Sequence, residues 1–292
     1  MNVGEAYRAG KKLLEEAGCD SSAFDAGCLF KKAFGLDRQG RILRSAEDAD
    51  GKKAEAYFSL ARERAAGRPL QYLLGEWPFL GLTLEVGEGV LIPREETELL
   101  VRTAADLLKG RERPEVVDLC SGSGAVALGL VSLLPGARVT AAEKYAGALR
   151  FLRRNIEKTG LSGVKAAELD VLEAASAERF SGLDAVVSNP PYVRAGEIGG
   201  LQREVRREPR EALDGGSDGL AFYRAIARLW LPRLKPGGVA AVEVGDGQAR
   251  DVERLFGGAL EDLRAHRDLG GVERVVSGRR RAGPAIAATQ EI

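Results

Sequence analysis

Apolar positions in the first 75 residues recur at the three- and four-residue spacing of helices. Gly18, Gly35, Gly40 and Gly67 separate the apolar runs, and glycine is typical of the position just after a helix. The pattern predicts a small helical bundle over residues 1–75. Its apolar positions are Tyr7, Leu13, Leu14, Ala17, Phe24, Cys28, Leu29, Phe30, Ala54, Tyr57, Phe58, Leu60 and Ala61.

The pattern changes between residues 76 and 93. Residues 77–86 are rich in apolar and β-branched side chains, and residues 87–93 add a second short apolar run after a glycine. Two such runs predict a β-hairpin that links the bundle to the rest of the chain. Helical spacing resumes over residues 94–108, where early glutamates suit the positive end of the helix dipole.

Strand-like and helix-like segments alternate between residues 115 and 278. This alternation predicts a parallel sheet covered by helices on both faces. The last two strands leave little room for a helix between them, so we expect one antiparallel strand there. Predicted strands are 116–119, 138–142, 164–168, 183–188, 238–244, 261–265 and 273–276, and predicted helices are 125–134, 146–159, 220–231 and 248–256.

The predicted fold class is therefore α/β, with a doubly wound, mostly parallel seven-stranded sheet of the Rossmann-like type. The sheet domain spans residues 94–278, the helical bundle residues 1–75, and the hairpin linker residues 76–93. Residues 279–292 have no periodic pattern and are predicted to be a flexible tail.

Charge and cysteine content narrow the possible partners. Lys+Arg and Asp+Glu number 43 each, so the net field gives no reason to expect stable nucleic acid binding. The three cysteines have neither metal-like nor disulfide-like spacing, which predicts a cytoplasmic protein. We expect no membrane association, because the N-terminus lacks a signal-peptide pattern and no apolar run approaches ~18 residues.

His266 is the only histidine. Catalytic triads built on histidine and histidine-rich metal sites are therefore largely excluded, and no metal site is expected. An enzyme with this composition would rely on positioning and on an activated co-substrate.

The tetrapeptide Asn189-Pro190-Pro191-Tyr192 follows the predicted strand 183–188. Each proline lacks an N–H and holds φ near −65°, so the backbone cannot continue as helix or ladder and its carbonyls are left to accept hydrogen bonds. Asn189 adds an acceptor and a donor, and Tyr192 adds a ring face. The segment predicts a pocket for a planar –NH₂ group, rather than a simple proline turn. Adenine and a side-chain amide both fit that description.

A glycine-rich turn joins the first predicted strand of the sheet to its helix. Gly122 and Gly124 allow a tight turn and close approach of a ligand to the backbone, at the sheet edge where doubly wound folds bind ligands. Glu143, about twenty residues on, is placed to accept hydrogen bonds from a ribose diol. The predicted cofactor-binding residues are Asp118, Cys120, Ser121, Gly122, Ser123, Gly124, Glu143, Asp170, Val171 and Asn189.

The same turn satisfies the dinucleotide fingerprint, so NAD is an alternative cofactor. Asp170, after the third strand, offers a carboxylate suited to an adenine amino group. The Asn189 pocket has no role in hydride transfer, whereas a weakly nucleophilic amide needs an activated partner such as a sulfonium methyl. These features favour S-adenosyl-L-methionine. Asp118 is expected to face the ligand's amino group or its bound water, and the alternative is that it caps the following helix.

Together these segments resemble the HemK/PrmC family of S-adenosylmethionine-dependent methyltransferases, which modify a glutamine of class I peptide-chain release factors. The resemblance extends to about Arg279. Cys120 stands where the family usually has glycine, Glu143 where aspartate is usual, and Glu95 where proline is common; none of these departures removes a catalytic group. Besides the tetrapeptide, the matching segments are 67–75, 91–98, 208–216, 218–220 and 236–238.

The resemblance implies roles for the tetrapeptide in catalysis and substrate binding. Asn189 and the carbonyl of Pro190 would hold the glutamine amide in the pocket completed by Pro191, and Tyr192 would pack against the amide plane. The amide nitrogen (N5) would attack the methyl group in line, releasing S-adenosyl-L-homocysteine. The N-terminal bundle would dock the release factor and present its Gly-Gly-Gln loop.

Three other functions share parts of this pattern. The substrate could be a ribosomal-protein glutamine, but segment 91–98 favours release factors. It could be adenine N6 in nucleic acid, but the balanced charge opposes this because base flipping needs a positive platform. A non-catalytic ligand-binding adaptor would not need an intact Asn189-Pro190-Pro191-Tyr192.

Overall fold

The computed structural model describes residues 1–281. The chain forms two compact units. One comprises residues 1–77 and 202–207, and the other comprises residues 78–201 and the described residues from 208 onward. Residues 202–207 lie within the range assigned from sequence to the sheet domain, but they group with the helical unit.

Five α-helices form most of the first unit, in agreement with the helical pattern of residues 1–75. A capping box between Asn2 and Glu5 begins the first helix. In the core, Phe30 stacks on Phe34 with ring centroids 4.2 Å apart and meets Tyr57 edge-on at 5.0 Å. The helices are α1 (Val3–Glu16), α2 (Ser22–Phe34), α3 (Arg38–Leu43), α4 (Gly51–Ala65) and α5 (Leu70–Leu74).

The hairpin is shorter than predicted. Strands β1 (Glu76–Phe79) and β2 (Leu82–Glu85) both fall within residues 76–86, and the turn is at Leu80–Gly81. Both turn residues have positive φ, 50° and 77°, as a type I′ hairpin turn requires. Residues 87–93, expected as the second half of the hairpin, form no strand.

Two glycines explain the course of residues 87–93 along the helix α8 (Ala146–Thr159). A Cβ on Gly87 would lie 2.8 Å from the Phe151 ring. A Cβ on Gly147 would lie 3.0 Å from the carbonyl oxygen of Gly89. The backbone of this segment therefore approaches α8 too closely for larger residues at these positions.

The second unit contains a seven-stranded sheet with the order β5-β4-β3-β6-β7-β9-β8. Strands β3 to β7 are parallel, and β9 is antiparallel to both neighbours, as expected. The predicted fold class is confirmed. The strands are β3 (Glu115–Leu119), β4 (Arg138–Glu143), β5 (Val164–Glu168), β6 (Leu183–Ser188), β7 (Leu234–Glu243), β8 (Leu260–Arg267) and β9 (Glu273–Arg280).

Strand β9 continues to Arg280, so the first two residues of the predicted tail belong to the sheet. Arg279 pairs with Val239, and Arg280 pairs with Leu260. Arg281, the next residue of that predicted tail, is not part of the strand, and residues 282–292 lie outside the described residues.

Helices cover both faces of the sheet over two hydrophobic cores. Neighbouring strand residues alternate between the cores: Val116 packs into one and Val117 into the other. The helices of this unit are α6 (Thr97–Leu108), α7 (Ala125–Leu133), α8, α9 (Ala174–Glu178), α10 (Ala221–Ala225) and α11 (Ala249–Phe256).

The helix predicted over residues 220–231 is not regular. After α10 the chain forms a π-helical segment, Ile226–Trp230, and then a 3₁₀ turn, Leu231–Arg233. Pro232 cannot donate a helical hydrogen bond, so the regular ladder ends before it. Trp230 is fully buried there, and its indole N–H donates to the carbonyl of Val171 at 2.9 Å. The irregular segment is thus anchored to the loop that follows β5.

The parallel strands end at one edge of the sheet, where β4 and β6 lie on opposite sides of β3. Ligands bind at this position in open α/β sheets. None of the helices in residues 1–281 is both long and apolar enough to cross a membrane.

Candidate active site

A cleft with about 960 Å³ of space, its open mouth included, lies at the carboxyl ends of the parallel strands. Its walls come from the loops after β3, β4, β5 and β6 and from segment 89–97. Predicted site residues that line it are Cys120, Ser121, Gly122, Ser123, Glu143, Asp170, Val171, Asn189 and Pro191. Four other predicted site residues, Asp118, Gly124, Pro190 and Tyr192, are not among its lining residues.

The glycine turn is held in its shape by local contacts. Gly122 and Gly124 have φ of 56° and 87°, which side-chain-bearing residues rarely adopt. At Gly124 a Cβ would also lie 2.6 Å from a Leu152 methyl group. Gly124 therefore shapes the turn and its packing against α8 from behind the cleft wall.

Glu143 ties the glycine turn to the end of β4. Its Oε2 accepts the N–H of Gly122 at 2.9 Å, and its Oε1 accepts those of Lys144 and Tyr145 at 2.7 and 2.8 Å. Burial raises the pKa of Glu143, and the three backbone donors oppose that rise. A carboxylate has about four acceptor positions, so one remains for a ligand hydroxyl.

Asp170 follows β5 and is anchored to the loop after β4. Its Oδ2 accepts from Lys144 Nζ at 2.7 Å, and its Oδ1 accepts the N–H of Leu172 at 2.9 Å. Each oxygen retains one acceptor position. Asp170 can therefore receive a ligand amino group while these two bonds hold it in place.

Asp118 caps the next helix and is not one of the residues that line the cleft, so the structure shows the alternative to the ligand-facing role expected from sequence. It is fully buried, and its Oδ2 accepts from the hydroxyl of Ser121 and from the N–H of Ala127. No hydrogen-bond donor among residues 1–281 reaches its Oδ1. Burial raises the pKa of Asp118 to about 7, although both hydrogen bonds lower it.

Cys120 adopts φ 57° at the start of the turn, the conformation that glycine would adopt without strain. It lines the cleft, so it narrows the site on that side. Burial raises the pKa of its thiol well above the usual value, which keeps the sulfur protonated.

The Asn189 side chain belongs to a hydrogen-bonded chain that runs through Thr97, which also lines the cleft, to the buried Glu243. Its Nδ2 donates to Thr97 Oγ1 at 3.1 Å, and Thr97 Oγ1 donates to Glu243 Oε2 at 2.6 Å. The Tyr192 hydroxyl donates to Glu243 Oε1 at 3.5 Å. Tyr192 thus directs its hydroxyl toward Glu243, and it is not one of the residues that line the cleft.

The backbone of the tetrapeptide is clamped by a neighbouring loop. The N–H of Val193 donates to the Leu213 carbonyl at 2.9 Å, and the Val193 carbonyl accepts the N–H of Gly215 at 2.8 Å. A Cβ on Gly215 would lie 2.8 Å from the Pro191 carbonyl oxygen. Gln248 donates to the Tyr192 carbonyl at 3.0 Å. These contacts hold the segment in the conformation that its prolines favour.

Comparison with known proteins identifies the family. The PrmC N-terminal domain family matches residues 5–75, and the Methyltransferase small domain family matches residues 95–217. The release factor glutamine methyltransferase of Geobacter sulfurreducens is 39% identical over 268 residues, covering 91% of this chain and 92% of that protein. That of Gloeobacter violaceus is 40% identical over 262 residues, covering 88% and 90%. The chain belongs to the release factor glutamine methyltransferase family.

A solved structure with much lower sequence identity has the same fold. The catalytic domain of hMettl16, solved in complex with the MAT2A 3′UTR hairpin 6, superposes with a TM-score of 0.56 at 15% identity. The match covers 79% of this chain and 84% of that one. At this identity the similarity establishes the shared class I methyltransferase fold.

Two family segments meet at a buried glutamate. Glu208 Oε2 accepts the N–H of Ile92 at 2.9 Å, and its Oε1 forms an ion pair with Arg94. Arg94 also donates to the Ile92 carbonyl at 2.9 Å. Segment 91–98 is thereby joined to segment 208–216, with Leu91 and Pro93 on the cleft wall.

Thr97 and Glu243 are site residues that the sequence interpretation did not assign. Thr97 lay within a matching segment but carried no role. Glu243 ends the otherwise apolar stretch of β7 at the same sheet edge as Glu143. An acidic residue at the end of a buried parallel strand was the signal that would have identified it.

Proposed function

We propose that this protein methylates the side-chain amide nitrogen (N5) of the glutamine in the Gly-Gly-Gln motif of class I peptide-chain release factors. The names of its relatives support the substrate. The observation that supports the chemistry is the presence of Asn189 in the same cleft as the glycine turn and Glu143. An amide-binding residue and a nucleoside-binding loop are thus within reach of one another.

The cleft residues fit S-adenosyl-L-methionine as the methyl donor. Glu143 would accept from the ribose and Asp170 from the adenine amino group, while Ala142, Leu169 and Val171 supply apolar walls for the base. When bound, the donor supplies a sulfonium-activated methyl group, open to in-line attack by an amide nitrogen, and S-adenosyl-L-homocysteine is the product.

Asn189 and Pro190 would hold the glutamine amide. Asn189 Oδ1 accepts one amide hydrogen and the Pro190 carbonyl accepts the other, so the nitrogen lone pair stays free. In this proposal Pro190 acts through its carbonyl alone, and Pro191 closes the cleft wall. Tyr192, which the family resemblance assigns to stacking on the amide plane, acts instead through its hydroxyl on Glu243.

Positioning supplies most of the rate in this mechanism. An amide nitrogen is too weakly basic to be deprotonated usefully before attack, and its proton leaves afterwards to a carbonyl or to water. Holding the nitrogen in line with the methyl group is worth up to ~7–11 kcal/mol in favourable cases. The chain therefore needs oriented acceptors and a closed cleft more than a general base.

The helical unit is the surface that we propose docks the release factor. Phe24, Ile42 and Leu43 are large apolar residues of this unit that are 57%, 59% and 76% exposed. We propose that the reaction takes place in the cytoplasm, since the three cysteines are free thiols as a reducing compartment requires. The equal numbers of basic and acidic residues support a protein substrate rather than a nucleic acid.

Methyl-labelled S-adenosylmethionine tests the assignment directly. We expect label on the glutamine of a class I release factor and none on its Gly-Gly-Ala variant, with the site mapped by mass spectrometry. Label on DNA, RNA or a ribosomal protein, with the release factor unlabelled, would contradict the proposal.

A further inference from the structure

We propose that Glu243, acting through Thr97, orients the Asn189 amide so that its carbonyl oxygen faces the substrate. The inference rests on the proposed function, since it assigns Asn189 to a glutamine amide. It makes Glu243 and Thr97 positioning residues, because neither needs to touch the substrate.

The geometry is a continuous chain of short contacts. Glu243 Oε2 and Thr97 Oγ1 are 2.6 Å apart, and Thr97 Oγ1 and Asn189 Nδ2 are 3.1 Å apart. Thr97 and Glu243 are each only 2% exposed. Solvent therefore does not compete for these bonds, and each group must find its partner within the chain.

The polarity of this chain follows from the carboxylate. An ionised Glu243 can only accept, so the single hydroxyl hydrogen of Thr97 must point toward it. The threonine oxygen then offers only lone pairs to Asn189. Only the NH₂ group of Asn189 satisfies those lone pairs, because the opposite orientation would place two acceptors against each other.

The fixed orientation matters for the substrate. The –NH₂ group of a glutamine amide donates two hydrogen bonds and needs acceptors. Asn189 supplies one when its NH₂ group is occupied by Thr97 and its Oδ1 is turned to the cleft. A rotated Asn189 would present a donor to a donor and would repel the substrate amide.

Protonation of Glu243 removes this constraint. A neutral carboxyl can donate to Thr97, whose own hydrogen is then free to point at Asn189, and both amide orientations become possible. Burial raises the pKa of Glu243 to about 7. Among the groups around it, Glu96 on the approach to α6 raises this pKa, while Arg274 on β9 and the hydroxyls of Thr97 and Tyr192 lower it.

Tyr223, on α10, donates to the main-chain oxygen of Glu243 at 2.9 Å and so holds its backbone.

The sign of the pH effect follows from the protonation state of the Glu243 carboxyl group. The ionised form is the orienting form, so kcat/KM falls as the pH drops through about 7.

Two substitutions separate orientation from simple packing. Thr97→Val keeps the shape but removes the hydroxyl, and we expect kcat/KM for release factor methylation to fall by ~10- to 100-fold, the scale for a misplaced reactive group. Thr97→Ser restores the hydroxyl and should recover most of the rate. Thr103→Val is the matched control, since Thr103 is also a buried threonine of α6 but is absent from the cleft lining.

Glu243→Gln tests the titration. Glutamine remains neutral at every pH, so we expect a reduced rate without the loss of kcat/KM that the wild type shows below about pH 7. The affinity of each variant for S-adenosylhomocysteine, measured by calorimetry, should stay within about threefold of wild type and reports that the cleft is folded.

Three results would overturn the inference. They are wild-type kcat/KM in Thr97→Val, a loss in Thr97→Ser as large as in Thr97→Val, or an unchanged acid limb in Glu243→Gln. In each case an inactive Asn189→Ala would leave the proposed function standing. A fully active Asn189→Ala would instead remove the proposed role of Asn189 itself.

Discussion

Glu143 and Glu243 both end a buried parallel strand, yet their surroundings give them different tasks. Glu143 accepts three backbone N–H groups and shapes the loops on either side of it. Glu243 accepts hydrogen bonds from the hydroxyls of Thr97 and Tyr192, and Thr97 in turn contacts Asn189. At the scale of single residues, the role of each buried glutamate therefore depends on the hydrogen-bond donors around it, which are backbone N–H groups for Glu143 and side-chain hydroxyls for Glu243.

Asn189→Ala tests the residue on which the chemistry depends. Turnover should fall by at least ~100-fold because the amide loses an orienting acceptor. Affinity for S-adenosylhomocysteine should change little, because Glu143 and Asp170 remain. Single-turnover methylation and calorimetry measure the two quantities, and wild-type turnover would refute the assigned role.

Asp118→Asn tests the buried cap of α7. The pKa of Asp118 is about 7 in the folded protein, above the ~3.9 of an unfolded chain. Between these values the folded state binds more protons, so the contribution of Asp118 to stability decreases as the pH rises from ~4 to ~7. Asparagine cannot titrate, and its Oδ1 can accept the bonds from Ser121 and Ala127.

Thermal unfolding of both proteins across this pH range measures the effect. We expect Asp118→Asn to gain most over the wild type above pH ~7 and the difference to shrink towards pH ~4. A constant difference over the whole range would show that Asp118 does not titrate in this way.

At the scale of elements, the cleft wall depends on a contact between two loops. Glu208 is 6% exposed and is the acceptor for both Ile92 and Arg94. This contact and the close approach of Gly87 and Gly89 to α8 together hold residues 87–93 along the cleft. A loop can line a site only if its own polar groups are satisfied.

Glu208→Ala should therefore weaken both stability and ligand binding. It leaves the buried Ile92 N–H and the partly exposed Arg94 guanidinium without their acceptor, which costs about 1–3 kcal/mol. Urea unfolding measures this loss, and S-adenosylhomocysteine titration should show weaker binding. Glu115→Ala is the control, because the ion pair of Glu115 with Arg138 is exposed and contributes little. Equal stabilities of the two variants would contradict the prediction.

At the scale of the whole molecule, the chain leaves the helical unit after residue 77 and returns to it for residues 202–207. Within that unit Glu204 pairs with Arg64 at 2.7 Å, and Arg64 pairs with Asp25 at 2.7 Å. The helical unit thus includes a segment that lies far from it in sequence, and a residue of that segment forms an ion pair with the buried Arg64.

Glu204→Ala should destabilise the intact protein by about 1–2 kcal/mol, because the largely buried Arg64 loses one of its two carboxylates. Chemical unfolding followed by circular dichroism measures the change. Glu47→Ala is the matched control in the same unit, since the Glu47–Arg44 pair is exposed. A Glu204→Ala protein as stable as this control would show that residues 202–207 do not support the helical unit.

Local patterns in the sequence were sufficient for the sheet and for the loops at its edge. Strands Val164–Glu168 and Leu183–Ser188 and helix Ala146–Thr159 have the predicted bounds. Apolar periodicity and glycine positions report on residues a few positions apart, which is the range over which a helix turn or a strand forms. The glycine turn, Glu143 and Asn189 could be assigned for the same reason, since each follows directly from a predicted strand.

Only the tertiary structure decided which side chains meet. Thr97 lies 92 positions from Asn189 and 146 from Glu243, so no local pattern links them. Their contact depends on how α6 packs against the neighbouring strands β6 and β7, which is set by burial across the whole sheet. The same reason explains the grouping of residues 202–207 with the helical unit and the meeting of Ile92 with Glu208. The sequence by itself determined the fold and the edge of the sheet that carries the site, and the packing of distant segments determined how Asn189 is held there.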